Sequence, residues 1–219
     1  MWDADFFTRF APSAVVKDDR RDAPAGNIFW SGDHDQVGIF WEAYHSAWLP
    51  AALLEENKQP ALAEALFAAS RHWTVGLHFN KGLAGAPAQE IEAARDTAMN
   101  PAVLSAFALA IIAGGVESGP AVPGIPGHEP DMQEARRAAD HINKSMETLR
   151  QVAPDSGSYL SESNFFEPGW QASFWGSNYP RLAQVKKKYD PDGLFFVHHG
   201  VGSEEWSADG FTSLKGQKK

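Results

Sequence analysis

The stretch that decides the fold of this chain is FWGSNYPRL at 174–182, which runs on through a lysine-rich segment to YDPDGLFFVHHG at 189–200. Pro180 suits the first turn of a helix, and the lysines at 186–188 suit the last turn, where the helix dipole favours positive charge. The Asp-Pro-Asp-Gly sequence at 190–193 favours a tight turn. The stretch therefore predicts a helix that begins near Pro180 and ends before this turn.

The apolar residues of the same stretch predict which faces are buried. Leu182, Val185 and Tyr189 recur at helical spacing, so they mark one buried face of the helix. Residues 194–197 form a short apolar run of the length of a buried strand. We therefore expect an aromatic loop, a helix, a tight turn and a buried strand, with the helix stripe packed against the strand.

This order of elements resembles the C-terminal segment of the berberine-bridge-enzyme-like FAD-linked oxidases. Their pattern is aromatic-Gly-x-Asn-Tyr/Phe-x-Arg-Leu, then a Val-Lys-x-Lys-Tyr-Asp-Pro helix end, then an aromatic-rich strand. The tail VHHGVGSEEW at 197–206 is similar, more narrowly, to relatives of isoamyl alcohol oxidase. The resemblance covers 158–206 and extends back to about residue 26 through GNIFW at 26–30 and LHFNKGL at 77–83.

The resemblance implies a division of the chain into two parts. Residues 1–157 would be a partial substrate domain, and residues 158–219 a C-terminal segment that completes a flavin-binding domain. Family members carry a flavin-binding domain N-terminal to these parts, with a pyrophosphate loop and covalent flavin tethers, and these 219 residues show neither. We therefore expect a fragment, a split-gene subunit or a truncated gene model. Its cofactor would be FAD, held mostly by a flavin-binding domain or subunit outside this chain.

The periodicity of the rest of the chain predicts an α+β fold. Residues 60–73 repeat apolar side chains at helical spacing, 75–80 alternate as a half-buried strand does, and 131–152 form a long amphipathic helix. No Gly-x-Gly-x-x-Gly opens a helix, so a Rossmann unit is not expected. An antiparallel sheet covered on one face by helices would bury all three segments.

Two further segments are predicted as helices. Residues 41–58 are interrupted by Pro50, which favours either two helices or one kinked helix. Residues 101–114 are continuously apolar, and Asn100 followed by Pro101 suits a helix start, so this run is predicted as a buried helix. The Gly- and Pro-rich residues 114–127 are predicted as an ordered surface loop.

The composition excludes several classes of function. The net charge is −9, and no stripe of Lys and Arg is present to neutralise phosphates, so we expect no nucleic-acid partner. The absence of cysteine excludes disulfides, thiolate metal sites and a cysteine nucleophile. The most apolar run is shorter than the ~20 residues that span a bilayer, so no membrane partner is expected. No export signal is visible, and the compartment stays open.

Glu162 is the candidate catalytic residue. In the family, a strand before the aromatic motif carries Tyr-x-Asn and then a Tyr or an acidic residue aimed at the substrate. Residues 159–164 read YLSESN, which places Glu162 at the base position and Tyr159 as a substrate contact, while Ser161 departs from the usual Asn. A carboxylate there can accept the proton of a substrate hydroxyl as hydride moves to the flavin. The alternative is a solvated strand residue.

Asn178 and Tyr179 each have two compatible interpretations. Local chemistry makes Asn178 the cap of the helix at Pro180 and Tyr179 a core residue. The resemblance places both against the isoalloxazine of the flavin, which makes them candidate cofactor-binding residues. His78 and Asn80 share one face of the predicted strand and are candidates for a polar substrate wall, with packing under a helix as the alternative.

Two clusters invite a metal interpretation and do not support one. Asp33-His34-Asp35 and His198-His199 match no pattern of three or four convergent ligands. Adjacent residues of a strand also point to opposite faces, so the two neighbouring histidines are expected to diverge. We therefore expect no metal.

Two functions of different classes follow. The first is part of an FAD-dependent oxidoreductase that oxidises the alcohol carbon of a small organic substrate, with oxygen as electron acceptor. The alternative is a non-catalytic remnant or binding module that keeps the substrate-domain fold without cofactor.

Overall fold

The computed structural model describes residues 3–19, 21–31, 41–80, 83, 85–115, 129 and 131–214. The chain divides into two compact units, one of Met1–Glu42 with Gly115–Arg137 and the other of Ala43–Gly114 with Ala138–Lys219. The loop predicted at 114–127 lies almost entirely outside the described residues. The domain boundary predicted at residue 157 stays a prediction.

The first unit contains a short helix and a hairpin. Helix α1 spans Ala4–Phe10, and the Asp3 carboxylate caps it by accepting a hydrogen bond of 2.9 Å from the backbone of Phe6. A 3₁₀ turn at Pro12–Ala14 leads into strand β1, Val15–Lys17, which pairs antiparallel with β2, Ile28–Trp30.

The second unit is built on a three-stranded sheet. Its strands are β3 (Trp41–Pro50), β4 (Gly76–Phe79) and β5 (Ala106–Gly115), in the order β3-β5-β4. Strand β4 pairs antiparallel with β5, with Leu77 opposite Ala110. The half-buried strand predicted at 75–80 is thereby confirmed.

Five further helices follow in chain order, together with short 3₁₀ turns. They are α2 (Gln59–Ser70), α3 (Ala88–Ala93), α4 (Met132–Arg150), α5 (Trp170–Trp175) and α6 (Tyr179–Tyr189). The turns of this unit are at Ala51–Leu54, Pro101–Leu104, Leu160–Glu162, Gly176–Asn178 and Ser203–Glu205. Pro180 lies in the first turn of α6, as predicted. No helix of the described ranges is long and apolar enough to cross a membrane.

The main core lies between the sheet and two helices. Apolar side chains of α2 and α4 pack with those of β3 and β5, so the predicted helix at 60–73 and the long amphipathic helix are both confirmed. The fully enclosed members are Leu49, Ala69, Ile112, Ile142 and Leu149. This sheet with its covering helices is the predicted α+β architecture.

The prediction of helices at 41–58 and 101–114 is wrong, because both segments hold long strands. Strand β5 is the middle strand, and its two faces are both covered: Ile112 packs in the main core, while Leu109 packs with Trp48 in a second cluster. A strand buried on both faces reads as a continuous apolar run, which periodicity does not distinguish from a buried helix. Asn100 does cap the segment, but the capped element is only the 3₁₀ turn Pro101–Leu104.

The predicted burial of the C-terminal helix and strand is also wrong. Helix α6 has no buried residue along its fully described length, and Tyr189 is 74% exposed. Residues 194–197 form no strand, and Leu194 and Phe195 are 81% and 74% exposed. Their backbone amides bond to the carboxylate of Asp190 at 2.8 and 3.0 Å, so a local turn takes the donors that a strand would use.

Candidate functional site

The carboxylate of Glu162 lies against the phenol of Tyr44, a half-buried residue of β3. The two side chains are hydrogen bonded. Burial, and then the negative charge of Glu162, raise the pKa of the Tyr44 phenol. The phenol therefore keeps its proton and donates a hydrogen bond to the carboxylate. This pair is the centre of the candidate site.

Glu162 lies in a 3₁₀ turn, so the strand predicted at 159–164 is wrong. The Ser163 hydroxyl donates to the carbonyl of Leu160 at 2.9 Å, and the Asn164 side chain accepts from the amide of Phe166 at 3.1 Å. Ser and Asn side chains that bond to nearby backbone compete in this way with strand formation. Residues 158–167 therefore form a compact loop, called here the Glu162 loop.

The start of the Glu162 loop is joined to the edge of β3. The amide of Trp48 donates to the carbonyl of Gly157 at 2.9 Å, the hydroxyl of Ser158 donates to the carbonyl of Ser46 at 2.7 Å, and the amide of Tyr159 donates to the hydroxyl of Ser46 at 2.9 Å. Residues two apart on a strand share a face, and Ser46 lies two residues after Tyr44. These three bonds bring the loop to the Tyr44 side of the strand.

Both ends of the Glu162 loop meet in a partly buried ionic cluster. The Glu167 Oε1 atom accepts from the Arg150 guanidinium at 2.9 Å and from the Ser173 hydroxyl at 2.7 Å. The same guanidinium donates to the Ser158 hydroxyl at 3.2 Å, and Ser158 Oγ lies 3.4 Å from Glu167 Oε1. Glu167 is 3% exposed. We call Arg150, Ser158, Glu167 and Ser173 the clamp.

Asn178 organises a neighbouring loop. Its Nδ2 amide donates to three backbone carbonyls, those of Arg95, Thr97 and Met99, at 3.3, 2.9 and 2.8 Å. The side chain makes no capping bond to α6, so the predicted cap role is wrong. The donors of Asn178 are thus directed into the chain, and Oδ1 is the atom by which it could meet a flavin.

The phenol of Tyr179 is held by a carboxylate. It donates to Glu204, whose two oxygens lie at 2.6 and 2.7 Å, and burial together with this bond raises its pKa. Its ring stands edge-on to Trp170 at 5.6 Å and tilted against Trp175 at the same distance. Ring packing is therefore the contact that Tyr179 could offer a cofactor, and cofactor binding by Asn178 and Tyr179 stays a prediction.

The two neighbouring histidines do not diverge as expected. Their rings stack at 3.9 Å, because His199 has a positive φ of 54° that turns its side chain back over His198. The stack continues to Phe165 on one side at 4.0 Å and to Trp170 on the other at 5.2 Å. Within the described ranges, no group of three or more His, Cys, Asp or Glu residues could hold a metal; Asp33-His34-Asp35 lies outside them.

The predicted substrate-binding residues have separate surroundings. His78 is exposed on β4. The Asn80 amide donates to the carbonyls of Val103 and Ala106 at 2.7 and 3.3 Å. Tyr159 packs on Trp48 with ring centres 6.0 Å apart, within the second apolar cluster. Tyr159 is thus the one of the three that adjoins the Glu162 turn, and a substrate role for all three stays a prediction.

Sequence reasoning missed Tyr44, Arg150 and Glu167. Tyr44 was assigned to a helix, although Tyr44, Ser46 and Trp48 alternate with period two as residues of one strand face do. Glu167 follows two phenylalanines, and a glutamate that is buried in an apolar segment is usually paired with a cation. The sequence does not show which cation that is, so it could not identify the ion pair. Arg150 supplies that partner from the end of α4.

Comparison with known protein families gives a match for the segment that carries Glu162 and Glu167. Residues 158–202 match the family described as berberine and berberine like. We call this segment the berberine-like domain, after the family that it matches. The match begins at Ser158 of the clamp and ends just after the stacked histidines. It confirms the resemblance to berberine-bridge-enzyme-like FAD-linked oxidases.

Curated relatives of the berberine-like domain include fungal proteins. An uncharacterized FAD-linked oxidoreductase of Arthroderma benhamiae is 52% identical over 62 residues, which are 28% of this chain and 10% of the relative. The VAO-type flavoprotein oxidase VAO615 of Thermothelomyces thermophilus is 46% identical over 74 residues, 34% of this chain and 12% of the relative. The sequence match thus spans about a tenth of the length of these relatives.

Solved structures extend the likeness beyond the berberine-like domain. The VAO-type flavoprotein MtVAO615 from Myceliophthora thermophila C1 matches 75% of this chain with a TM-score of 0.55 and 29% identity, over 28% of its own length. MtVAO713 from the same organism matches 78% of this chain with a TM-score of 0.54 and 24% identity, again over 28% of its length. The second likeness concerns the fold alone. The α+β fold is therefore that of part of a VAO-type flavoprotein.

Proposed function

We propose that this chain forms the substrate side of an FAD-dependent oxidoreductase that oxidises an alcohol carbon of a small organic molecule. The observation that carries the proposal is the Glu162 carboxylate, held by Tyr44 within the berberine-like domain. Support for the cofactor comes from the names of the relatives, which are FAD-linked oxidoreductases and VAO-type flavoproteins. VAO615 is named an oxidase, which favours oxygen as the electron acceptor.

Glu162 is the proposed general base. A carboxylate has two oxygens with several lone pairs, so it can accept from the Tyr44 phenol and still accept the proton of a substrate hydroxyl. FAD, when bound, would supply the hydride acceptor for the carbon that carries this hydroxyl. Glu162 accepts the hydroxyl proton, and the substrate leaves as the carbonyl compound. The substrate thus loses one hydride, which carries its two electrons, and one proton, which stays on the carboxylate.

Tyr44 keeps the base in position. Its phenol remains neutral because its pKa is raised, so it acts as a hydrogen-bond donor throughout. A fixed donor orients the carboxylate and reduces the number of rotamers from which it would have to react. We propose that Tyr159, which adjoins the turn of Glu162, contacts the substrate, and that His78 and Asn80 line a more distant part of its site.

The residues next to Glu162 fit the ring system of a flavin. Phe165 and Phe166, in the same loop, are 62% and 79% exposed, and apolar rings left in water favour burial against another apolar ring. We propose that Tyr179 packs on the cofactor through its ring and that Asn178 meets its polar edge through Oδ1. These contacts would hold one side of FAD only.

A flavin-bearing domain or subunit is the proposed partner. The berberine-like domain exposes many large apolar side chains, and exposed patches of this kind mark docking surfaces. The relatives are several times longer than the segment they share with this chain, so they contain the additional chain that such a surface requires. Exposed members include Phe166, Tyr189, Leu194, Phe195 and Val197.

The proposal is tested by flavin reduction in an assembled enzyme. The chain is combined with a flavin-bearing polypeptide, either the product of an adjacent reading frame or the part of VAO615 that this chain does not match. Glu162→Gln keeps the shape and hydrogen bonding but accepts no proton, so anaerobic stopped-flow reduction by an alcohol substrate should slow by ~10²–10⁴-fold. The flavin absorbance spectrum should stay the same.

The control variant is Glu64→Gln, which makes the same chemical change on the exposed face of α2 and should leave the rate unchanged. A Glu162→Gln assembly that reduces its flavin at the unmodified rate would move the base elsewhere, with Tyr159 or Tyr179 as the next candidate. An assembly that binds no flavin in any variant would favour a non-catalytic binding module.

A further inference from the structure

We infer that the clamp of Arg150, Ser158, Glu167 and Ser173 is a positioning device that holds the Glu162 carboxylate against the Tyr44 phenol. The inference rests on the proposed function for its catalytic consequence. Its structural content, the dependence of the Tyr44–Glu162 contact on the clamp, can be measured in this chain without any flavin.

The clamp closes the Glu162 loop at its base. Ser158 and Glu167 are the two ends of the loop, and their side-chain oxygens lie 3.4 Å apart with the Arg150 guanidinium bonded to both. Ser173 adds a second closure, because its hydroxyl donates to Glu167 and accepts from the amide of Ser158 at 3.1 Å. A loop whose ends are fixed in this way holds its own conformation, as compact Ω-shaped loops do.

The path from the clamp to Glu162 is short and fully hydrogen bonded. Ser158 is bonded to β3 through Ser46, and the next residue, Tyr159, is bonded to the Ser46 hydroxyl. The carbonyl of Tyr159 then accepts from the amide of Glu162 at 2.9 Å, which closes the 3₁₀ turn. Tyr44 lies on the same strand face as Ser46, so the clamp fixes both partners of the contact through one segment of β3.

The chemistry of the clamp favours positioning over stability. The Glu167 side chain is 2% exposed and that of Arg150 is 24% exposed, so forming the pair removes one charge from water completely and the other in part. This loss of hydration offsets the attraction, so such a pair stabilises a fold little compared with apolar side chains of similar size. The pair is also incomplete, because Arg150 Nε and Glu167 Oε2 are buried without a hydrogen-bond partner in the described structure. The pair does, however, form directional hydrogen bonds that fix the positions of the two ends of the loop.

A second contact holds the opposite side of the loop. The His198 ring donates from Nε2 to the carbonyl of Phe165 at 2.9 Å and stacks on the Phe165 ring. Phe165 lies between Glu162 and Glu167, so the loop is restrained at its base by the clamp and along its later part by the stacked histidines. Loss of the clamp should therefore tilt the Glu162 turn while the loop stays attached.

The test measures the titration of Tyr44 in the intact chain. The chain has four tyrosines, so labelling with ¹³Cζ-tyrosine gives four resonances, and Tyr44→Phe identifies the one of Tyr44. In the unmodified chain this resonance should titrate above the usual value of about 10 for tyrosine. Glu162→Gln should lower the midpoint, because the negative charge that opposes ionisation of the phenol is removed.

Two buried serines provide a matched comparison. Ser158→Ala removes a clamp hydroxyl that donates to the Ser46 carbonyl at 2.7 Å, and Ser145→Ala removes a hydroxyl of α4 that donates to the Ala69 carbonyl at 2.9 Å. Both serines are fully buried. Ser158→Ala should lower the Tyr44 midpoint by roughly 0.5–1 pH unit, the size of one ordinary hydrogen bond, whereas Ser145→Ala should leave it in place.

Two results would overturn the inference. One is a folded Ser158→Ala variant in which the titration midpoint of Tyr44 is unchanged. The other is a Ser145→Ala variant in which this midpoint shifts as much as in Ser158→Ala, which would mean that loss of any buried hydroxyl changes the surroundings of Tyr44. If Ser158→Ala does not fold, Ser173→Ala decides by the same criterion. Neither result bears on the flavin-reduction test of Glu162→Gln, so failure of the positioning role and failure of the proposed function are distinguished.

Discussion

Helix α4 and helix α6 have similar sequence patterns and opposite environments. Both carry apolar residues at helical spacing, and both begin and end with suitable residues. The α4 stripe is enclosed, with Ile142 and Leu149 inaccessible to water, whereas α6 has no buried residue along its length. The sequence pattern of a helix thus shows which of its faces is apolar. It does not show whether another part of the chain covers that face.

The same contrast separates the core from the tail of the second unit. The sheet, α2 and α4 enclose one continuous apolar core between them, while Phe67 of α2 and Phe79 of β4 are exposed. Residues 179–214, called here the tail, form hydrogen bonds among themselves, such as those of Tyr179 with Glu204 and Lys186 with Asp190. Several large apolar side chains of the tail are exposed, including Leu194 and Phe195. We interpret the core as self-sufficient and the tail as a surface that another polypeptide covers.

Two leucines test this comparison with the largest expected difference in stability. Leu149 is fully buried and Leu194 is 81% exposed. Leu149→Ala should lower the free energy of unfolding by about 2–5 kcal/mol, as truncation of a core leucine does. Leu194→Ala should change it by less than about 0.5 kcal/mol in the chain alone. Urea unfolding monitored by circular dichroism measures both.

A large loss in Leu194→Ala would show that the tail belongs to the core of this chain after all. The assembled enzyme provides the complementary result. There, Leu194→Ala should weaken binding of the flavin-bearing part, because the side chain is then covered.

His45 tests the core side of the comparison through pH, with a smaller effect. It is 7% exposed and bonds through Nε2 to Asn143 at 2.7 Å, and burial lowers its pKa. The charges that face it are Arg150, Glu167 and Glu147. In the unfolded chain this histidine gains a proton below about pH 6.5, while in the folded chain it resists protonation. Stability should therefore fall as the pH is lowered from about 6.5 towards the depressed pKa.

The matched variant is His45→Asn, which removes the titrating ring. Between pH 7 and pH 5, the free energy of unfolding should decline more steeply in the unmodified chain than in His45→Asn. Other titrating groups, including His199, are common to both proteins and cancel in the difference. Equal slopes would mean that His45 is solvated or protonated in the folded chain.

The sequence predicted those elements whose signals are local. Pro180 marked the first turn of α6, and alternating residues marked β4, because caps and short-range periodicity act within a few residues. Strands β3 and β5 were missed because their pairing is long-range. Strand β5 is buried on both faces, so it carries no alternation, and Pro50 was interpreted as a helix interruption when it ends a strand.

The sequence predicted Glu162 of the candidate site but missed Tyr44 and the clamp, because their contacts are also long-range. The family pattern pointed to Glu162, which the structure places beside a phenol. The phenol belongs to Tyr44, more than a hundred residues earlier, and no local signal connects the two. The clamp is similar, since Arg150 is the last residue of α4 and meets Glu167 only through the fold.

Hydrogen–deuterium exchange, with and without the flavin-bearing part, tests most directly the claim that the tail is a docking surface. Amides of β5 and α4 lie in the complete core, so their exchange should be slow in the chain alone and unchanged on mixing. Amides of α6 and of residues 194–201 should exchange quickly in the chain alone and become protected in a complex that contains reducible flavin. A flavin-reducing complex in which 179–214 gain no protection, or an isolated chain that purifies with bound flavin, would contradict the account.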